Sequence, residues 1–193
     1  MTLTSTQKTM KSLRTAGLFL LLFYACPSFG QLVPISLEQR IENATTILEG
    51  KVIGQTSYWD ENKTHIYTAN IVEVYKVFKG QLTAKQVEII TPGGIVGDRM
   101  ERITYSLELK IGDAGVFTAI PNTTRITTTT KLTQLKVYTG IQGFIQYDLK
   151  NGSANDMFSN YKNINKEVYT KIVAQTKSDI KTVQKAPFKI EIQ

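Results

Sequence analysis

The residues best equipped for chemistry are few, and they sit on the least regular stretches of the chain. His65 is the only histidine, and with Asp60 and Glu61 it makes a mixed nitrogen and oxygen donor set of the kind that can hold a metal. Metal-site patterns need more histidine or cysteine than this sequence has, so Asp60-Glu61-Asn62-Lys63 reads instead as a solvated hairpin loop. Tyr58 and Trp59 precede it, and an exposed aromatic pair binds a sugar or a peptide through its flat faces; the competing reading folds the same rings over apolar surface. The expected site is therefore a ligand-binding corner of Tyr58, Trp59, Asp60, Glu61 and His65, with no metal and no cofactor. Asp98 and Glu101 have the residue types of a glycosidase acid and base, but Arg99 and Arg102 beside them favour ordinary surface ion pairing. Thr91-Pro92-Gly93-Gly94 lacks the Gly-Lys-Ser/Thr of a phosphate cradle and reads as a turn that uses glycine's access to positive φ. The threonines at 123, 124 and 127 to 130 form an exposed strand or a loop, open to glycosylation in an exported protein.

The elements that must position these residues follow from hydrophobic period. Ser36-Leu37-Glu38-Gln39 fits a capping box, and Leu37, Ile41 and Ala44 keep helical spacing, so a helix starts at Ser36 and ends near Ala44. From Thr46 to Asp148 the period is that of strands. Strands are expected at Thr46 to Gln55, with Gly50 and Gly54 marking a bulge or bend, and at Thr64 to Phe78, with a phase change near Glu73. Further strands are expected at Gln86 to Thr91, along the alternation of Ile103, Tyr105, Leu107 and Leu109, and at Ala114 to Ile120, Gln134 to Thr139 and Gly143 to Leu149. Bends and short loops of this kind let a sheet curl on itself. The fold expectation is mainly β: a small OB-like β-barrel with an N-terminal and a C-terminal amphipathic helix. The second helix runs from Asn165 to about Lys177, with Val168 and Ile172 inward. Lys181 to Ala186 reads as a linker, and Pro187 to Ile192 as a terminal strand-like tail.

The first thirty residues point to export. Lys8, Lys11 and Arg14 precede an apolar stretch from Ala16 to Cys26, and Ser28 and Gly30 are the small residues of a cleavage site before Gln31, the three-part pattern of a signal peptide. The apolar run is about half the 20 residues a membrane span needs. Lipid attachment at Cys26 is the alternative. Cys26 is the only cysteine, so residues 31 to 193 contain none, which excludes a disulfide scaffold, a cysteine nucleophile and a thiolate metal site. The chain carries 23 basic and 16 acidic residues, net +7; without the three basic residues of the leader the balance is 20 against 16, or +4. The remaining lysines are scattered, which argues against nucleic acid as a partner and against a polybasic membrane segment. Residues 31 to 180 suit one domain.

A family resemblance attaches to specific residues: Leu48-Glu49-Gly50-Lys51-Val52, Tyr58-Trp59-Asp60, Ile66-Tyr67-Thr68, Val77-Phe78-Lys79-Gly80, Thr91-Pro92-Gly93-Gly94, Gln142-Gly143-Phe144-Ile145, Asp156-Met157-Phe158 and Glu167-Val168-Tyr169. These resemble the N-terminal domain of large secreted bacterial proteins that often carry a type-nine secretion sorting tail, or in some cases a matrixin-like metalloprotease domain. The resemblance brings no assigned activity with it. Neither a zinc-protease motif nor a sorting tail occurs in this sequence, so proteolysis is not carried over. The strand and Lys-Gly pattern is also similar to netrin-like domains, the OB-type barrels of metalloprotease inhibitors. Their zinc-chelating N-terminal cysteine is replaced by Gln31, so the resemblance implies only the barrel.

Together these readings give a secreted, periplasmic or cell-surface binding or assembly module that is not an enzyme. Its expected partner is an extracellular or cell-surface protein or glycan. The alternatives are an extracellular hydrolase using Asp60, Glu61, Asp98 and Glu101, and a protease-inhibitor-like domain that inserts Gln31 to Ile35.

Overall fold

The computed structural model describes residues 32 to 189. The leader with Cys26, the expected cleavage before Gln31, and the last four residues of the tail lie outside them. The chain divides into two units, Met1–Val33 and Pro34–Gln193, and the account below concerns the second.

Ser36 opens helix α1 (Leu37–Asn43) with both halves of the capping box in place: the Gln39 amide donates to the Ser36 hydroxyl at 3.1 Å, and the Ser36 amide donates to the Gln39 side chain at 3.3 Å. Ala44 turns extended and ends the helix, leading into β1 (Thr46–Trp59) and β2 (Ile66–Lys79). The expected irregularities are present. Pairing jumps from Glu49↔Lys76 to Gly50↔Val74, bypassing Tyr75, and from Val52↔Val72 to Gly54↔Ile71, bypassing Ile53. At Gly50 the strands approach so closely that a Cβ would lie 2.5 Å from Val72 Cγ1 and 2.7 Å from the Glu73 carbonyl, so the bend requires glycine.

Five strands pair in a closed order. β2 is antiparallel to β3 (Gln86–Pro92), which is parallel to β7 (Gln134–Val137); β7 is antiparallel to β6 (Ala114–Pro121), and β6 returns to β1 from Thr46↔Ala119 to Lys51↔Ala114. β8 (Phe144–Asp148), β9 (Ser153–Asn155) and β10 (Asn160–Tyr161) extend the sheet from β6. Strand period sorts neighbouring residues to opposite faces. Leu48, Val74, Ile89, Phe117, Ala119 and Leu135 join one cluster drawn from all five ring strands, with Phe117 and Phe144 stacked at 4.4 Å. Ile47, Phe78, Val116 and Ile145 face the other way, into a second cluster with Leu37 and Ile41 of α1 and with Ile164, Val168 and Ile172.

Val168 and Ile172 are buried as the helical spacing requires. The helix itself begins as a wide turn, Ile164–Tyr169, and becomes α2 only at Thr170–Thr176. The stretch read as a linker carries a short strand, β11 (Lys181–Thr182), on the edge of β2 that β3 leaves beyond Glu73. Phe188 then packs edge-on to Tyr75 at 5.3 Å and to Tyr147 at 6.2 Å.

One expected strand is absent. Residues 102 to 110 carry no ladder, because Tyr105 adopts a φ of 60° and Ser106 donates back to the Ile103 carbonyl at 3.2 Å. Only Leu107 and Leu109 of the alternating set are buried; Ile103 and Tyr105 are exposed. Just before this stretch lies a hairpin outside the expected strands, β4 (Gly94–Val96) with β5 (Arg99–Glu101).

Among the described residues Arg40, Glu49 and Glu88 are buried charged residues, and each ties two or more elements together. Arg40 of α1 donates to Asp156 Oδ2 at 2.5 Å, to the Tyr161 hydroxyl at 3.3 Å and to the Gln142 carbonyl. Glu49 accepts from the hydroxyls of Tyr147 and Tyr169, and Lys76 Nζ stands 3.2 Å from it. Glu88 accepts from Thr128 at 2.9 Å, Thr130 at 2.5 Å and Gln134 at 3.1 Å. The threonine-rich stretch is thus a loop whose hydroxyls, at 128 and 130, solvate a buried carboxylate.

Candidate functional site

The corner expected to bind a ligand is assembled, with the Asp60 carboxylate bonded within its own turn and His65 bonded to Glu101 of the β4–β5 hairpin. Asp60 Oδ1 accepts from the amides of Thr64 at 2.7 Å and His65 at 3.2 Å, and Oδ2 accepts from the Thr64 hydroxyl at 2.7 Å. The Thr64 hydroxyl is the main reason the Asp60 carboxyl sits below its ordinary range. His65 Nδ1 lies 2.8 Å from Glu101 Oε1, while Glu101 Oε2 accepts from the Ile66 amide at 2.6 Å. The hydrogen bond to Glu101 and then its charge raise the His65 value; the Ile66 amide and then His65 lower that of Glu101. Tyr58 is half-buried beside Ala69, Ile90 and Ile126, with its hydroxyl 3.0 Å from Thr129 Oγ1. Trp59 is half-buried at the end of β1, and Glu61 is exposed. This corner therefore pins the β1–β2 turn to β5 and to the threonine-rich loop. Among the described residues no three histidine, cysteine or carboxylate side chains group closely enough to hold a metal ion.

The carboxylates proposed as an acid and base do not stand free together. Glu101 is committed to His65 and Ile66, and Arg102 pairs with Glu108 at 3.0 Å. Gly94 sits at the edge of the same region with a φ of 145°, and a Cβ there would meet Ser57 Oγ at 2.4 Å and Thr68 Oγ1 at 2.5 Å. The Pro-Gly-Gly turn is thus a point of close packing.

A different region is open. The segment 102 to 109 lies among three clefts of about 710, 760 and 590 Å³, and contributes residues to the wall of each. The largest has a floor of neutral polar side chains from β1, β2 and β3: Gln55, Ser57, Thr68, Asn70 and Thr91. Gln55 donates to Asn70 Oδ1 at 2.6 Å, and Ser57 and Thr68 are 3.0 Å apart, so the floor is ordered. Exposed apolar side chains stand along its rim, Met100 75%, Ile95 62% and Ile103 40% accessible, beside the Arg102–Glu108 ion pair; Tyr105, 55% accessible, lines the other two clefts. Ile95 and Met100 are cross-strand partners on the hairpin. The titratable groups of the adjoining cleft are already engaged: Asp113 accepts from the Lys110 amide and from Gln146, and Asp156 is held by Arg40.

None of the rim residues was legible as a site in the sequence. The alternation from Ile103 to Leu109 suggested one buried face, and a single residue in the left-handed region turned half of it outward.

No family model matches the chain, and no curated protein matches it. Among the described residues no helix is long and apolar enough to cross a membrane.

Proposed function

We propose that this chain is an exported, non-enzymatic binding or assembly module, that its closed ring of strands is a small OB-like barrel, and that its ligand sits in the clefts around residues 102 to 109. The observation that carries the reading is the set of exposed apolar side chains around residues 102 to 109: Ile95, Met100 and Ile103 at the cleft with the ordered neutral polar floor, and Tyr105 in the two clefts beside it. Apolar surface gathered at a concave site marks a place of recognition, whereas scattered exposed apolar residues mean nothing. A hydrolase needs carboxyls placed to move protons, and Asp60, Glu101, Asp113 and Asp156 each already accept bonds that fix a turn or an ion pair. The closed pairing order and the bulges at Tyr75 and Ile53 support the barrel assignment. The ligand class follows from the expected location: an extracellular or cell-surface protein or glycan.

The test uses peptide and glycan arrays with the purified protein, its Met100→Glu variant and its Tyr105→Ser variant. Saturable binding that weakens about tenfold or more in either variant, the scale of one lost apolar contact, with unchanged melting temperature, is the expected result. Turnover of ester, glycoside or peptide substrates that Glu101→Gln abolishes would overturn it.

A further inference from the structure

The largest cleft is a wedge between two extended backbones that start as a pair and then part. The β1–β6 ladder ends at Lys51↔Ala114. One step on, the Val52 amide donates to the Asp113 carbonyl and the Gly112 amide to the Val52 carbonyl, both at 2.8 Å. Three residues further the join is made by a side chain, Gln55 Nε2 donating to the Leu109 carbonyl at 2.7 Å. Beyond that point Thr56 and Ser57 stand on one wall and Ser106 to Glu108 on the other. Leu107 and Leu109 still point inward and Glu108 outward, so this wall is a strand in all but its partner.

Among the described residues the amides of Leu107, Glu108 and Leu109 donate to no carbonyl or side chain, and β1 over Gly54–Ser57 has no backbone partner on the edge away from β2. Unpaired backbone groups on two facing edges are a template for another strand. We infer that the wedge accepts an extended peptide strand of a partner protein by main-chain pairing, an inference that rests on the binding-module reading and names its ligand class. Beyond the Gln55 join β1 offers two residues and the facing segment three, roughly 7–10 Å at strand rise. The inserted strand runs antiparallel to one wall and parallel to the other. Its side chains alternate between the ordered polar floor and the rim of Ile103 and Met100, so apolar residues at every second position fit and proline at a pairing position does not. A glycan lacks the evenly spaced amides that both edges call for.

The experiment selects a displayed library of linear peptides on the purified protein. Enriched sequences are expected to alternate apolar with other residues. A synthetic copy of the best one should bind, and the same peptide N-methylated at alternate amides should bind about tenfold or more weakly, as loss of one or two main-chain bonds requires. Hydrogen exchange should slow at residues 54 to 57 and 107 to 109 when the peptide is present. Leu107→Pro, which removes an amide on the same side of the segment as the Leu109 carbonyl that faces β1, should weaken binding by a similar factor; if that variant misfolds, the N-methylated peptide alone decides. Binding indifferent to N-methylation, or protection confined to residues 58 to 65, overturns the strand-insertion inference and leaves the binding module standing. Binding of glycans with no peptide enriched does the same. Absence of binding to either class defeats both.

Discussion

Arg40→Met tests whether the interior ion pair, rather than the capping box, fixes α1 to the rest of the molecule. The side chains of Arg40 and Asp156 are each 2% exposed and stand 2.5 Å apart, and removing one member of such a pair costs about 3–5 kcal/mol because the other charge stays buried. Asp156 retains the amides of Phe158 and Ser159 at 2.9 Å and the Tyr161 hydroxyl at 2.9 Å. The loss should therefore fall at the low end, about 3 kcal/mol, or roughly 6–12 °C of melting temperature for a domain of this size. Asp156→Asn should cost at least as much, since the guanidinium loses its only carboxylate, and the double variant should cost clearly less than the two single losses added. The pH dependence provides a second reading. Burial alone would raise the Asp156 carboxyl, but the Phe158 amide, Arg40 and Tyr161 together hold it below its ordinary range. A carboxyl lowered in the folded state adds stability that is complete above its unfolded value, near 4, and is lost as pH falls through the lower folded one. Urea unfolding of wild type, both single variants and the double at neutral pH and at successively lower pH measures all of this. A cost below about 1 kcal/mol for Arg40→Met, additive losses in the double variant, or an unchanged acid limb would each show that the pair is solvated and that the argument from burial fails.

Glu49→Gln should act in the opposite pH direction: burial, outweighing Lys76 and Tyr147, raises the Glu49 carboxyl, so this group adds stability as pH falls through a value above the ordinary glutamate range, and the variant should lose that increment in urea midpoints. Thr128→Val with Thr130→Val leaves Gln134 as the donor to Glu88 among the described residues and should cost about 1–3 kcal/mol, with faster tryptic cutting at Arg125 and Lys131. Deleting residues 187 to 193 removes the edge contacts of Phe188 with Tyr75 and Tyr147 and should lower stability by about 1 kcal/mol in thermal melts; a loss well above 2 kcal/mol would mean the tail is integral to the fold.

The parts of the fold that depend on nearest neighbours were legible. Ser36 and Gln39 are three residues apart and find each other within one turn, and the inward Val168 and Ile172 need only helical period. Gly50, and the phase change that the structure puts at Tyr75, two residues beyond Glu73, announced bends because glycine and broken alternation are local facts. Glu49, Glu88 and Arg40 were not legible as interior residues. Their partners lie between 27 and 121 positions away, and a charged residue in a strand or helix looks the same in sequence whether water or a distant tyrosine satisfies it.

The site divides along the same line. The corner of Asp60 and His65 caught the eye because it concentrates residues with chemical side chains, and the Asp60 carboxylate there serves the fold: one oxygen holds two amides and the other holds a hydroxyl. The clefts were invisible because what makes them is backbone that fails to pair. The alternation from Ile103 to Leu109 is that of a strand, and Leu107 and Leu109 do bury as a strand's inner face would, so the sequence reading was right about period and wrong about partners. Period is set by side chains, whereas pairing is set by where the chain turns, and here Gly112 and Tyr105, both at positive φ, part the segment from β1 after Val52 and bend it again before Leu107. Two walls with strand-like period and no ladder between them are what a binding edge requires, and a sequence reveals it only as a strand that cannot find its neighbour.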